Sequence, residues 1–261
     1  MFGRQKMSEI KLISWNINGI RTRAKNKELD PIFDANPDII LFQETKAKYN
    51  QLDSNLKNIE GYSSYFSPGE SARSGGLATF SKIKPILAKK FFDIPDSLLK
   101  TKVLNFNFDN FKLIHIYAPS GTGSKANKDV KLEFFEKLLN FAKKHKDDNV
   151  IIVGDFNIAH TEKDISNPEK ATNTITFSDE EREIIDKLEK FGFVDSFRLI
   201  HPDEVAFSSW KSQKAKESGE GSRLDYIFVS KSLKEAVKDS KILSNIEGSK
   251  HSPIELILEI E

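Results

Sequence analysis

The sequence contains no cysteine among its 261 residues. Disulfide bonds, thiolate zinc sites and cysteine nucleophiles are therefore excluded together. Any metal that the protein binds must be held by oxygen or imidazole ligands. The absence of cysteine is compatible with a reducing compartment.

The sequence also lacks long apolar runs and a large charge of one sign. No segment approaches the roughly 20 apolar residues that a membrane span needs, and the N-terminal segment MFGRQKMSEIK has no apolar stretch of signal-peptide length. The formal net charge is +1, which argues neither for nor against a nucleic-acid partner. We therefore expect a cytoplasmic protein with no membrane partner.

The composition that is present suits one folded domain. A hydrophobic fraction of 38% with 20 phenylalanines is enough to form a buried core. No internal repeat or long linker interrupts the chain. We expect a flexible N-terminal segment over residues 1–9, a single domain over residues 10–261, and a monomer.

Strand and helix patterns alternate along the chain. Residues 102–108 and 111–117 form a hairpin-like pair, and apolar spacing predicts a helix over residues 128–144. A second helix is predicted to begin at Ser178, with Glu181 completing a capping box. The strands are predicted at residues 10–16, 38–44, 75–81, 102–108, 111–117, 150–155, 224–230 and 252–260. This mixture predicts a sandwich of two mixed sheets with helices outside.

The stretch NVIIVGDFNIAH places polar residues directly after an apolar strand. Residues 150–153 form a run typical of a central strand that is covered on both faces. Asp155 and Asn157 then follow at the carboxyl end, where ligands gather in open α/β folds. His160 is given no role, because a single loop histidine more often braces its loop than binds a ligand.

Similar polar residues stand at the ends of other predicted strands. A polar residue at a single strand end is expected, since strands end where the chain meets water. Taken together, they form an oxygen-rich set suited to Mg²⁺ and to phosphoester chemistry. No phosphate-binding P-loop or dinucleotide motif competes with this interpretation. The set is Asn16, Glu44, Tyr117, Asp155, Asn157, Asp225 and His251.

Seven ordered blocks of the sequence resemble the exonuclease III family of apurinic/apyrimidinic endonucleases. This family belongs to the endonuclease/exonuclease/phosphatase superfamily, which includes deoxyribonuclease I. The resemblance spans residues 10–260 and implies a four-layer α/β sandwich, with two mixed β-sheets packed face to face and helices outside. The blocks are SWNINGIR, LFQETK, IYAPSG, GDFN, GFVDSFR, RLDYIFVS and SKHSPI.

The resemblance assigns roles around a metal and a water molecule. Glu44 is implied to be the principal Mg²⁺ ligand, with Asn16 completing the site and Asn18 close by. Mn²⁺ is expected to substitute for Mg²⁺. Asp155 is implied to position or deprotonate the attacking water.

The resemblance also assigns contacts with the scissile phosphate. Asn157 and Tyr117 are implied to touch it, and His251 to bind one of its oxygens. A hydrogen bond from His251 to the Asp225 carboxylate is expected to orient the imidazole and to favour its protonated form.

Residues expected to contact DNA include two that depart from the family pattern. Ser222 stands where the family usually has tryptophan, and Ser209 where it usually has a large aromatic residue. Such aromatics wall the pocket for a flipped abasic sugar, and stacking on one is worth about 1–3 kcal/mol. The pocket is thus expected to be reduced rather than absent. The predicted substrate-binding residues are Asn18, Arg21, Lys46, Ser209, Trp210, Ser222 and Leu224.

Lys250 is a further departure, because the family motif Ser-Asp-His is here Ser249-Lys250-His251. One hypothesis is that Lys250 supplies positive charge that otherwise comes from a second, weaker metal. The alternative is that Lys250 points into solvent, since neighbours in an extended segment face opposite sides.

The sequence thus predicts a Mg²⁺-dependent DNA phosphodiesterase. It would incise double-stranded DNA 5′ to abasic or damaged sites, with removal of nucleotides from 3′ ends as a second activity. Two alternatives stay open. One is a general nuclease or another phosphoesterase of the same superfamily, and the other is a DNA-binding protein with weakened catalysis.

Overall fold

The apolar runs of the sequence form two six-stranded sheets in the computed structural model, which describes residues 8–69, 71, 74–90, 102–171 and 174–260. Of the predicted flexible segment, residues 1–7 lie outside these residues, and β1 begins at Ser8. The strands are β1 Ser8–Asn16, β2 Ile39–Gln43, β3 Ser63–Ser67, β4 Leu77–Ser81, β5 Leu87–Lys90, β6 Val103–Asn107, β7 Lys112–Tyr117, β8 Val150–Asp155, β9 Phe193–Asp195, β10 Ser209–Trp210, β11 Gly221–Ser222, β12 Asp225–Ser230, β13 Val237–Ile242 and β14 Ile254–Ile260. All eight predicted strands are present.

Both six-stranded sheets are mixed. The first has the order β13-β14-β1-β2-β4-β3 and the second β5-β6-β7-β8-β12-β9. The pairs β1–β2 and β7–β8 are parallel, and the other paired strands run antiparallel. The predicted hairpin is formed by β6 and β7, with Asn107 opposite Lys112. Strands β10 and β11 pair separately.

Alternating side chains of the strands divide the core into layers. In β8, Ile151 and Val153 face the first sheet, whereas Val150 and Ile152 face the helices outside the second sheet. Outside the first sheet, the helices that contain Ile20, Ile32 and Leu56 pack on a third apolar cluster that contains Trp15. All four β8 side chains are fully buried, so the central strand is covered on both faces. The predicted four-layer α/β sandwich is confirmed.

The helices are α1 Ile20–Lys25, α2 Asp30–Asp34, α3 Ser54–Lys57, α4 Lys125–Lys144, α5 Pro168–Ala171, α6 Asp179–Lys190, α7 Ser196–Ile200 and α8 Gln213–Glu217, with 3₁₀ turns at Tyr49–Gln51, Glu162–Asp164 and Lys231–Ala236. The predicted helix over residues 128–144 begins three residues early, because Ser124 caps it by accepting a hydrogen bond from the Asn127 amide. The predicted capping box of α6 is present. None of the helices in the described part of the chain is long and apolar enough to span a membrane.

Candidate active site

The two sheets bring their polar strand ends together at one end of the sandwich. Asn16 ends β1, and Glu44 follows β2, which runs parallel to β1. On the second sheet, Asp155 lies between Tyr117 of β7 and Asp225 of β12, opposite both in the strand registers. Side chains far apart in sequence are therefore fixed side by side by the hydrogen-bonded ladders.

A close backbone approach sets the position of Asp155. Gly154 has φ of 141°, and a Cβ at this position would lie 1.9 Å from the carbonyl oxygen of Ile116. Only glycine fits there. Asn157, two residues beyond Asp155, is left-handed with φ of 53°, and its amide donates to Asp155 Oδ1 at 2.9 Å. The turn after β8 thus holds the carboxylate by its own backbone.

Asn16 joins the two sheets within the site. Its Nδ2 donates to Glu44 Oε1 at 2.9 Å and to Asp155 Oδ2 at 2.9 Å. Its Oδ1 accepts the Asn18 amide at 3.2 Å. Lys46 lies 2.8 Å from Glu44 Oε2 and donates to Asn18 Oδ1. The predicted metal ligands and two predicted substrate-binding residues therefore form one hydrogen-bonded group.

Glu44 is ionised despite its environment. Burial alone would raise the pKa of its carboxyl, but hydrogen bonds from Lys46 and Asn16 and the positive charge of Lys46 hold that pKa below its ordinary value. An ionised carboxylate is the state that a hard cation requires.

His251 carries the predicted hydrogen bond to a carboxylate. Its Nδ1 lies 2.8 Å from Asp225 Oδ2, and Ser208 Oγ donates to the same oxygen at 2.7 Å. Its Nε2 lies 3.1 Å from Ser209 Oγ and 4.0 Å from Asp155 Oδ2. Burial opposes protonation, but the charges of Asp225 and Asp155 raise the pKa of His251 to about 9. The imidazole is therefore a cation at neutral pH.

Asp155 is poised to exchange a proton near neutral pH. Burial is the main cause that raises its pKa to about 7, and the charge of Asp225 adds to it. The charge of His251 and the hydrogen bonds from Asn16 and Asn157 oppose the rise. A carboxylate with a pKa near the working pH suits a general base.

The donor atoms of the site fit a hard divalent cation. Single ligand atoms of Asp155, Asp225 and His251 lie within 4.8 Å of one another, and the carboxylate of Glu44 and the amide of Asn16 adjoin them. Apart from the imidazole, every potential ligand atom is oxygen, which Mg²⁺ prefers.

Tyr117 lies at the edge of the site, half-buried at the end of β7. The Lys102 ammonium lies over its ring, 4.4 Å from the centroid. This cation makes the edge of the site next to Tyr117 electropositive, which favours a bound phosphate.

A cleft of about 850 Å³ opens beside His251. Ser209 and Ser222 face each other in the β10–β11 ladder and line the cleft together with other predicted substrate-binding residues. Lys216 lies over the Trp210 ring, 5.0 Å from its centroid. The residues singled out in the sequence that line the cleft are Ser209, Trp210, Ser222, Leu224, Lys250 and His251.

Arg21 and Lys250 lie on the exposed rim of the site. Arg21 stands apart from the cleft, where its guanidinium donates to the carbonyl oxygen of Lys46 at 3.4 Å. The backbone carbonyl of Lys250 accepts the Trp210 amide at 2.8 Å. Both side chains contribute positive charge to the surface around the site.

His160 lies outside the site and braces its loop. Its Nε2 is 2.8 Å from Asp186 Oδ1 on α6. Its amide donates to the Tyr226 hydroxyl at 3.1 Å, and its carbonyl accepts from Arg182 Nε at 2.8 Å.

Three residues that hold the site were not predicted from the sequence. Ser208 accepts the amides of Leu224 and Asp225 at 3.1 Å while donating to the Asp225 carboxylate. Ser249 Oγ donates to the carbonyl of Asn16 at 2.6 Å, and Trp15 Nε1 donates to the carbonyl of His251 at 2.8 Å. Trp15 and Ser249 stand within the quoted blocks, and Ser208 directly precedes the predicted Ser209, so adjacency to a site residue was the available signal.

The chain is similar to known nucleases along most of its length. The sequence model of the Endonuclease/Exonuclease/phosphatase family matches residues 13–245. The chain is 34% identical to the exodeoxyribonuclease of Bacillus subtilis (strain 168) over 255 residues, covering 96% of this chain and 100% of that protein. It is 30% identical to the DNA repair nuclease APEX1 of Danio rerio, covering 98% of this chain and 84% of that protein.

Solved structures share the fold. An AP endonuclease from Archaeoglobus fulgidus aligns with a TM-score of 0.85 at 25% identity, covering 96% of this chain and 100% of that chain. A 3′-5′ exonuclease from Neisseria meningitidis aligns with a TM-score of 0.86 at 24% identity, with the same two coverages.

Proposed function

The chain belongs to the endonuclease/exonuclease/phosphatase family, and we propose that it is a Mg²⁺-dependent DNA repair nuclease that incises the backbone 5′ to abasic sites. One observation carries the proposal. A base with a pKa of about 7, Asp155, lies 4.0 Å from a cationic His251, and Asn16 links that base to the carboxylate of Glu44. This arrangement supplies a water-activating group, a phosphate-binding cation and a metal ligand within one site.

The protein side chains have separate tasks in hydrolysis. Asp155 accepts a proton from the attacking water while the water oxygen forms a bond to phosphorus. His251 Nε2 donates a hydrogen bond to a phosphate oxygen, and Asp225 keeps the imidazole protonated and oriented. The side-chain amide of Asn157 and the hydroxyl of Tyr117 hold the phosphate as the bond to the sugar oxygen breaks, and that oxygen takes up a proton from solvent.

Glu44 and Asn16 are the residues that would hold Mg²⁺. When bound, the ion neutralises phosphate charge and stabilises the leaving oxygen. We propose Mg²⁺ as the physiological metal, with Mn²⁺ as a substitute, because both accept hard oxygen ligands.

The relatives support DNA as the substrate. The Bacillus subtilis relative is named an exodeoxyribonuclease and the Danio rerio relative a DNA repair nuclease. The cleft beside His251 suits an extruded abasic sugar, since Trp210 and Leu224 give it apolar walls. We propose that the enzyme acts as a monomer on double-stranded DNA.

A second candidate activity is removal of nucleotides from 3′ ends. Two serines, Ser209 and Ser222, line the cleft where the resemblance implies aromatic residues, and they leave it about 850 Å³ in volume. A wider cleft discriminates less between an abasic sugar and an ordinary nucleotide.

One cleavage assay tests both activities. A duplex with one tetrahydrofuran abasic analogue and a labelled end is compared with an undamaged duplex, with Mg²⁺ and with EDTA. Metal-dependent incision at the analogue, absent in an Asp155→Asn variant, supports the proposal. A ladder of shortened products from both duplexes indicates 3′-end removal instead, and no cleavage by folded protein contradicts both.

A further inference from the structure

We infer that Lys131 is a positioning residue for DNA cleavage, whose buried ammonium fixes the turn that presents Asp155 and Asn157. The inference rests on the proposed function, which assigns the chemistry to those two side chains.

Lys131 is a charged residue in an apolar environment. It lies on α4 and its side chain is 0% exposed, on the helix face that buries Phe134, Phe135 and Leu138. Burying an ammonium is costly unless its hydrogens all find acceptors. Its partners therefore show what the lysine holds in place.

The ammonium reaches three separate segments of the chain. Its Nζ donates to the carbonyl oxygen of Asn157 at 2.8 Å, in the turn after β8. It also reaches the carbonyl of Ser120 at 3.5 Å, in the loop after β7. Its third partner is the carboxylate of Glu181 at the start of α6. Two of these segments directly follow proposed catalytic residues. The loop after β7 follows Tyr117, and the turn after β8 follows Asp155.

Lys131 contacts the backbone of Asn157 within a left-handed turn. Asn157 has φ of 53°, a conformation that asparagine adopts more often than most residues other than glycine. In this conformation its amide donates to Asp155 Oδ1, and its Nδ2 donates to the carbonyl of Ala118 at 3.0 Å. Lys131 completes the set by binding the Asn157 carbonyl. A shift of this peptide would therefore move the base as well as the phosphate contact.

The surroundings keep the lysine itself in place. Glu181 Oε2 accepts the Thr176 amide at 2.8 Å and the Ser178 hydroxyl at 2.9 Å, so the acceptor cannot swing away. In the loop after β7, a Cβ at Gly121 would lie 3.0 Å from Lys131 Cδ. The loop at Gly121 thus packs closely against the Lys131 side chain.

This arrangement predicts an effect on the chemical step rather than on DNA binding. Lys131 has no exposed surface with which to touch DNA, so its loss leaves KM nearly unchanged. Displacement of Asp155 and Asn157 lowers kcat, because catalysis depends on their geometry.

The test compares three variants with the parent on the tetrahydrofuran duplex. Lys131→Met removes the ammonium, and Lys131→Met/Glu181→Met also removes the carboxylate that would otherwise be buried without a partner. Leu138→Ala is the matched control, since Leu138 is buried two turns further along the same helix. Thermal unfolding fixes a temperature at which all four proteins are folded.

We expect both Lys131 variants to lose about 10- to 100-fold in kcat, with KM within about twofold of the parent. We expect Leu138→Ala to lose stability and to keep kcat. Recovery of the parent kcat in the double variant would overturn the inference, because it would show that only charge burial mattered. An equal loss of kcat in Leu138→Ala would overturn it as well.

Amide hydrogen exchange separates this inference from the proposed function. If the parent cleaves no duplex, the proposed function fails, but exchange over residues 155–158 still reports on the turn. Faster exchange there in Lys131→Met than in Leu138→Ala supports the positioning role. Equal exchange in the two variants overturns it.

Discussion

Among the residues that the structure describes, two clusters each combine one histidine with two carboxylates, at different places in the fold. In each, a histidine nitrogen lies 2.8 Å from a carboxylate oxygen. We call them the active-site cluster and the peripheral cluster. The first comprises Asp155, Asp225 and His251, and the second His160, Asp186 and Glu189.

The clusters differ in burial and in what surrounds them. The side chains of Asp155 and Asp225 are 2% exposed, whereas those of Asp186 and Glu189 are 63% and 45% exposed. Water screens the peripheral charges, so their interactions are weak. In the active-site cluster, burial shifts the pKa of Asp155 towards neutrality and makes each charge depend on its neighbours. Residue type alone therefore does not create a reactive site.

Asp155→Asn, in the active-site cluster, is expected to have the largest effect. An amide cannot accept the proton of water, so we expect kcat to fall by about 10²- to 10⁴-fold. Single-turnover cleavage of the abasic duplex measures the loss. A gel-shift titration checks that the variant still binds the duplex. Retention of more than a tenth of the parent rate would exclude Asp155 as the base.

The two clusters also differ in their expected relation to the metal. Replacing Glu44 by glutamine removes the ionised ligand next to the active-site cluster, and we expect the Mg²⁺ concentration for half-maximal activity to rise by about 10- to 100-fold. Replacing Glu189 by glutamine in the peripheral cluster should leave it unchanged. Mg²⁺ titrations of cleavage by the two variants make the test. An equal increase in the half-maximal Mg²⁺ concentration for both variants would mean that the metal is not bound at Glu44.

The pH dependence of kcat/KM should reflect the titration of Asp155 and His251 in the active-site cluster. Asp155 must be deprotonated to act as a base, and burial raises its pKa to about 7, so activity should increase as the pH rises towards neutrality. Bound Mg²⁺ would move this rising, acidic limb of the pH profile to lower pH. His251 must be protonated, and the carboxylates raise its pKa to about 9, so activity should fall above that pH. We expect His251→Asn to lower the rate and to lose the alkaline limb, and persistence of that limb would assign it to another group.

The smallest expected effect is that of Lys250→Asp on the rim. Because the Lys250 side chain is exposed, we expect KM to rise about threefold at low salt, through loss of attraction to DNA phosphates. We expect the Mg²⁺ dependence to match that of the parent. An altered Mg²⁺ requirement would favour the hypothesis that Lys250 replaces the charge of a second metal.

Elements with strong patterns were predictable from the sequence. The eight strands and two long helices have apolar runs or helical spacing, and buried strands such as β8 were located to the residue. Short elements, including β9, β10 and β11, were missed because two or three residues carry no periodicity. Their pairing is determined by tertiary contacts instead.

The location of the candidate site was predictable where strand ends and the family resemblance coincide. The structure brings Asn16, Glu44, Asp155 and His251 together as expected. Lys131 could not be predicted, since a lysine in an amphipathic helix is normally assigned to the exposed face. Only the fold shows that its ammonium points towards the turn after β8.

Matched substitutions of the two histidine partners distinguish the active-site cluster from the peripheral cluster. Asp225→Asn and Asp186→Asn make the same chemical change, one in each cluster, and both are assayed by single-turnover cleavage of the abasic duplex. We predict at least a tenfold loss of rate for Asp225→Asn, because His251 loses the charge that keeps it protonated, and a change within about twofold for Asp186→Asn. Equal effects of the two substitutions would contradict the assignment of catalysis to the buried cluster.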